Sequence, residues 1–270
     1  MTRDELVLLS DLNYAETLRE LTRRAGGIVH DEDGLLCYAG ADPFPVLTNG
    51  VMRTGSGPPA AVVLERARAF FAGRGRGYTV HVRAHLDADL QAAGERDGLT
   101  PMGDAPGMVL DRRLPDVTPP PGVELRRVSD DEDVAAFGRI MGEAYATYGM
   151  PATVGPASFP HRDVLVAPHI ATFLAVLEGE PVAGAMVVVT HGVAGVYWVG
   201  TVPAARGRGL AELCTRAAGN AGFDRGARIA ALQASVMGEP LYRRMGYVEV
   251  TRYPFMVQPK PTGRRDPRAA

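Results

Sequence analysis

Cysteine is nearly missing: Cys37 and Cys214 are the only two in 270 residues. They are too few and too far apart for a disulfide framework or a thiolate metal site, so no metal is expected. Lysine occurs once, at Lys260, and 29 basic residues less that one leave 28 arginines, which we read as a coding bias rather than a binding signal. No apolar run approaches the roughly 18 residues needed to span a bilayer. The opening Met1-Thr2-Arg3-Asp4-Glu5 lacks the apolar core of a secretion signal. The expectation is a soluble, cytoplasmic protein with no membrane partner. Charge of one sign is also lacking, with 29 basic against 31 acidic residues and a net charge of −2, which argues against nucleic acid as a partner.

What is present is an ordinary core-forming composition, 46% hydrophobic and 22% charged. Pro115 and the run Pro119-Pro120-Pro121-Gly122 interrupt every period and mark a boundary. The expected organisation is an N-terminal domain over 1–116, a proline-rich linker over 117–122, a second domain over 123–258 and a flexible tail over 259–270. The first 116 residues carry −4 (13 basic, 17 acidic) and the rest +2 (16 basic, 14 acidic). The second half is therefore the better candidate for an anionic ligand.

In the first half, Asp11 precedes a helical apolar period through Leu12, Ala15, Leu18, Leu21 and Ala25 that Gly26-Gly27 ends. Two strands around Leu35–Tyr38 and Val46–Met52 follow, then a helix over Ala60–Ala72, a strand over Tyr78–Ala84, a short helix over Asp87–Glu95 and a strand around Met108–Leu110. Gly73-Arg74-Gly75-Arg76-Gly77 follows a helix and reads as its stop. In the second half, Val123–Val128 is a strand, and Ser129 with Glu132 three residues on is a capping box opening a helix. Strands over Thr172–Leu177, Val182–Thr190 and Val193–Val202 come next. A helix over Leu210–Phe223, a strand over Ala227–Ser235, a short helix over Pro240–Met245 and a strand over Val248–Val257 complete the half. Hairpin strands followed by strand-helix-strand predict a mixed sheet with helices on its faces. The halves share a weak repeat, at an offset of 149 for Gly77/Gly226 and 148 for Gly98/Gly246.

The informative stretch is Val202-Pro203-Ala204-Ala205-Arg206-Gly207-Arg208-Gly209-Leu210-Ala211, which leaves a strand and enters a helix. Glycines at 207 and 209 let several N–H groups point into one concavity, and the helix start adds its positive dipole end. Arg206 and Arg208 add charge suited to a diphosphate. A Walker loop would need Gly-Lys-Ser/Thr, and a dinucleotide fingerprint a third glycine; neither is there.

Arg206-Gly207-Arg208-Gly209-Leu210-Ala211 matches the Arg/Gln-x-x-Gly-x-Gly/Ala loop of the GNAT acyltransferase superfamily. Tyr242-Arg243-Arg244-Met245-Gly246-Tyr247 resembles that family's Tyr-x-x-x-Gly-Phe/Tyr segment. The resemblance spans about residues 122–257, and the element order agrees. It implies an α/β (α+β) fold with a GNAT-like, mostly antiparallel mixed sheet flanked by helices, in two tandem halves. The N-terminal half would be a degenerate copy lacking the cofactor motif. It further implies an acetyl-CoA-dependent N-acetyltransferase acting on a primary amine, of a small molecule or peptide, by direct attack. In that reading the backbone of Gly200 and Val202 pairs with the pantetheine arm, and the amides of Gly207, Arg208, Gly209, Leu210 and Ala211 hold the diphosphate. Tyr242 protonates the leaving thiolate. The base is left open among Glu143, Glu178, His161, His169, His191 and water. Tyr197 and Trp198 lie on the predicted fourth strand, one facing the core and the other toward the acceptor. The alternative is a non-catalytic acyl-CoA-binding or regulatory module. Oligomeric state is not readable.

Overall fold

The computed structural model describes residues 1–259; the tail expected from 259 onward lies, beyond Pro259, outside the described residues. The chain runs α1 (Arg3–Arg24), β1 (Ile28–Glu32), β2 (Leu35–Ala39), β3 (Asn49–Arg53), α2 (Ala60–Ala72), β4 (Tyr78–His81), α3 (Ala88–Arg96) and β5 (Thr100–Leu110). It continues with β6 (Val123–Arg127), α4 (Asp131–Tyr145), α5 (Val154–Ser158), β7 (Ile170–Leu177), β8 (Glu180–Thr190) and β9 (Val193–Thr201). Last come α6 (Leu210–Phe223), β10 (Ile229–Gln233), α7 (Glu239–Met245) and β11 (Val248–Gln258).

Several local expectations shift. The first helix begins at Arg3, not after Asp11, because Thr2 and Glu5 form a capping box there. Asp11 is instead buried within α1, accepting from the Tyr253 hydroxyl at 2.7 Å. The fourth helix is capped by Asp130, whose side chain accepts from the Asp133 N–H, rather than by Ser129. The first half holds three strands before α2 instead of two. Exposed, polar β1 gives little apolar signal but pairs with β2 along its whole length.

All strands join one sheet in the order β1-β2-β3-β4-β11-β5-β10-β9-β8-β7-β6. The last strands of the two halves are exchanged. β5 pairs with β10 through Gly107–Leu110, while β11 pairs with β4 through residues 255–258. Adding 148 to 107–110 gives 255–258, so the exchange is symmetric, and β5 and β11 also pair antiparallel with each other. Helices cover both faces. On one face α1 packs Val7 against Val109, Val193, Ile229, Ala231 and Val250, and α4 lays Met141 and Ala144 against Gly200. On the other face α6 lies so close to β9 that a side chain at Gly222 would meet the Ala194 Cβ at 2.2 Å.

Candidate active site

The site originates where two parallel strands separate. β9 and β10 pair only at Val193–Gly195 with Ile229–Ala231. Between the pairs Met186–Tyr197 and Gly184–Gly200, β9 uses one residue more than β8, and Trp198 in that bulge has φ +48°. A bulge bends and twists its strand, so β9 runs on to Thr201 alongside β8 alone. The fork opens a cleft of about 360 Å³ between β9, the start of α6, α7 and the end of α4.

Gly207 and Gly209 have φ +78° and +75°, the left-handed conformation that turns successive N–H groups to one side. Gly209 caps α6 with no side-chain hydrogen bond, so the first-turn N–H groups are unclaimed by the helix. Gly207, Gly209, Leu210 and Ala211 line the cleft together with Tyr242. The structure thus brings the two sequence motifs to one place. The donor set suits a diphosphate: amides in a glycine cradle at a helix N-terminus. Tyr242 is buried, and burial raises its pKa, keeping the phenol protonated.

Other anticipated residues fall elsewhere. The Val202 N–H donates to the Val182 carbonyl at 2.9 Å, so this pair is hydrogen-bonded within the sheet. By the period of two, Gly200 opposite Gly184 also turns its polar groups to β8. The residues of β9 that line the cleft are Val199 and Thr201, rather than Gly200 and Val202. Arg206 is not free to face an anion. Its guanidinium donates to the carbonyls of Ala144 (3.1 Å) and Thr201 (3.3 Å) and to the Thr147 hydroxyl (2.9 Å), tying the loop to α4 and β9. Arg208 is exposed and lies outside the lining, whereas Arg244, not anticipated, is part of it.

None of the five candidate bases lines the cleft. Glu143 pairs with Arg139, His169 with Glu20, and Glu178 and His191 hold positive-φ turns. The lining carboxylate, Glu212, bonds Arg216 at 2.7 Å. Sequence reasoning also missed Tyr148 and Ser235, whose hydroxyls meet at 3.0 Å across the cleft. No motif signals that pair; it depends on the turn after α4 and the loop after β10 coming together. Tyr197 and Trp198 both turn to the α1/α4 face: Tyr197 donates to Asn13, and Trp198 packs on Tyr145 and Phe159.

The first half closes the equivalent fork. By strand register His81 opposite Phe255 matches Gln233 opposite Gly107, so Arg83 takes the place of Ser235. Arg83 binds Asp87 at 2.7 Å and reaches the Gly55 carbonyl at 2.9 Å, and Arg53 bonds Asp87 and Asp89. This ion-pair cluster joins the end of β3 to the loop after β4. Pro58 and Pro59, which lack N–H groups, precede α2.

Residues 110–238 match the family described as Acetyltransferase (GNAT) domain. Among solved structures, a GCN5-related N-acetyltransferase from Kribbella flavida is similar at a TM-score of 0.70 and 23% identity, covering 94% of this chain and 96% of that one. A GCN5-related N-acetyltransferase from Sphaerobacter thermophilus gives 0.58 and 17%, covering 84% and 81%. A tandem GNAT protein from the clavulanic acid biosynthesis pathway gives 0.57 and 15%, covering 84% and 79%. No curated protein sequence matches the chain. Among the described residues no helix is long and apolar enough to cross a membrane. Residues 110–238 thus match the model of a GNAT acetyltransferase domain, within a chain whose overall fold is similar to that of solved GNAT proteins, a tandem one among them.

Proposed function

We propose that the chain transfers an acetyl group from acetyl-CoA to a primary amine by direct attack, with one cofactor site, in the second half. The observation that carries this reading is the convergence of Gly207, Gly209, Leu210 and Ala211, at the uncapped start of α6, and Tyr242 on one cleft at the β9/β10 fork. Acetyl-CoA, when bound, supplies an activated thioester. The amides of Gly207, Arg208, Gly209, Leu210 and Ala211 would hold its diphosphate. The backbone N–H and carbonyl of Val199 and the N–H of Thr201 would extend the sheet edge toward the arm. Tyr242, kept neutral by burial, would deliver a proton to the departing sulfur. With no uncommitted carboxylate or imidazole in the lining among the described residues, the acceptor's proton passes to water. The ion pairs and Pro58-Pro59 of the first half supply no second cradle. That half instead touches the second half beyond the sheet, where the Thr153 hydroxyl donates to Asp42 at 3.3 Å.

A second reading, an acyl-CoA-binding module without turnover, is favoured by the base-free lining. Release of free thiol from acetyl-CoA against a broad amine panel separates the two. The enzyme reading requires amine-dependent thiol release, and calorimetry is expected to titrate to one coenzyme A per chain. Binding with no thiol release for any amine favours the module, and two equivalents would overturn the single-site assignment.

A further inference from the structure

We propose that the acceptor is a monoamine with an apolar, uncharged body, held by exposed apolar side chains at the rim of the cleft: Val236, Met237 and Tyr148. This rests on the acyltransferase reading of the cleft and narrows its acceptor. Val236 is 86% exposed, more than any other large apolar side chain among the described residues, while Met237 is 53% and Tyr148 47% exposed. Single apolar side chains on a surface are ordinary. Three together on the rim of one cleft mark a surface that takes a partner.

Hydrogen bonds hold the three side by side. The Gly238 N–H donates to the Ser235 carbonyl at 3.0 Å and to its Oγ at 3.1 Å, closing a turn with Val236 and Met237 at its tip. The Tyr148 hydroxyl donates to the same Oγ at 3.0 Å, which brings the turn after α4 to that tip.

The patch stands at the reacting end of the cleft. A side chain at Gly238 would meet the Tyr242 ring at 2.8 Å and the Ser235 Oγ at 3.2 Å, so the phenol packs against the same turn. Met237, Tyr148 and Tyr242 line the cleft together. An amine attacking a thioester beside Tyr242 therefore has the rest of its atoms within reach of the patch. In that step the nitrogen bonds to the acetyl carbon and the C–S bond breaks. The sulfur takes the Tyr242 proton, and water takes the nitrogen's proton and restores the phenol's.

Charge selects the uncharged body. The charged side chains of the lining are Arg206, Arg244 and Glu212, and Glu212 is bonded to Arg216 at 2.7 Å. Together with the positive end of α6, this lining repels a second ammonium group. An alkyl or aromatic body instead gains by leaving water against the patch.

The test measures kcat/KM by thiol release from acetyl-CoA with 2-phenylethylamine, ethanolamine and spermidine. It uses the full chain, unaltered, as the double variant Val236→Ser with Met237→Ser, and as the apolar control Val236→Leu with Met237→Leu. The unaltered chain is expected to prefer 2-phenylethylamine over ethanolamine by at least about tenfold, the worth of taking part of one ring out of water, and to use spermidine least. The serine variant is expected to lower that preference by about fivefold or more, with acetyl-CoA affinity by calorimetry unchanged. The leucine variant is expected to keep the preference. No preference in the unaltered chain would overturn the proposal, as would preference for spermidine or an unchanged ratio in the serine variant. A loss of acetyl-CoA affinity in the serine variant would assign the patch to the cofactor, and loss of a dimer in sedimentation would assign it to a second copy; either overturns the proposal. Thiol release with no amine of a broad panel would overturn the acyltransferase reading itself, and this proposal with it, whereas release with polar amines alone overturns only this proposal.

Discussion

Separating the chain at the proline run is expected to abolish folding of the second half, although that half holds the whole candidate site. In a fragment of residues 117–270, β11 loses both of its neighbours, β4 and β5, and β10 loses one of two. Nine residue pairs between β5 and β11 disappear, with four more to β4 and four between β5 and β10. Five buried side chains from the first half pack directly into clusters with the second: Val7, Met108, Val109, Leu110 and Leu114. At about 1.5–3 kcal/mol for each buried side chain, their removal costs roughly 7–15 kcal/mol. That equals the whole stability of a typical domain, about 5–15 kcal/mol. Urea unfolding followed by circular dichroism is the assay. The full chain is expected to give one cooperative transition, and the 117–270 fragment none. A chain nicked at an inserted protease site within 117–122 is expected to elute as one species, since the exchanged strands hold it together. A 117–270 fragment that unfolds cooperatively at the full chain's midpoint, or nicked halves that separate while folded, would refute the reasoning.

Four further outcomes follow from the site and its surroundings. Gly209→Asp meets open space at its Cβ but must keep φ +75°, which costs about 1–2 kcal/mol. The fold is expected to survive while acetyl-CoA affinity drops at least about tenfold, and calorimetry showing no change would remove the loop from the site. Tyr242→Phe is expected to leave binding intact and lower kcat toward the small end of about 10²–10⁴-fold; a loss confined to KM would make it a binding residue. Because burial raises the Tyr242 pKa, its ionisation is expected to cause no fall in kcat up to the ordinary tyrosine pKa of about 10. His81 is buried between the hydroxyls of Tyr38 (2.7 Å) and Tyr14 (3.1 Å), and burial lowers its pKa to about 4. Between there and the unfolded value near 6.5 the unfolded chain binds the extra proton, so stability is full above about pH 6.5 and declines as pH falls toward 4. Resonances of the His81 ring titrating near 6.5 would contradict this.

What the sequence by itself determined was local chemistry. Glycines two apart between a strand and an amphipathic helix read as a cradle because positive φ and a free helix start are properties of a few consecutive residues. The Tyr242–Gly246 segment read as a site for the same reason, with Gly246 at φ +95° ending α7. Most helices and the hairpin strands β7–β9 were likewise legible, since their apolar periods are long. Tertiary structure decided which partner each group meets. Gly200 and Val202 gave way to Val199 and Thr201 because β8 takes every second residue's polar groups, and that register is set across the sheet. Arg206 turned from a phosphate ligand into a tie because the Ala144 carbonyl and Thr147 happen to stand beside it. The exchange of β5 and β11 was invisible along the chain: both strands carry the same local signal whichever half they complete. Their places are chosen only by long-range pairing, in which β11 lies between β4 and β5 and β5 between β11 and β10.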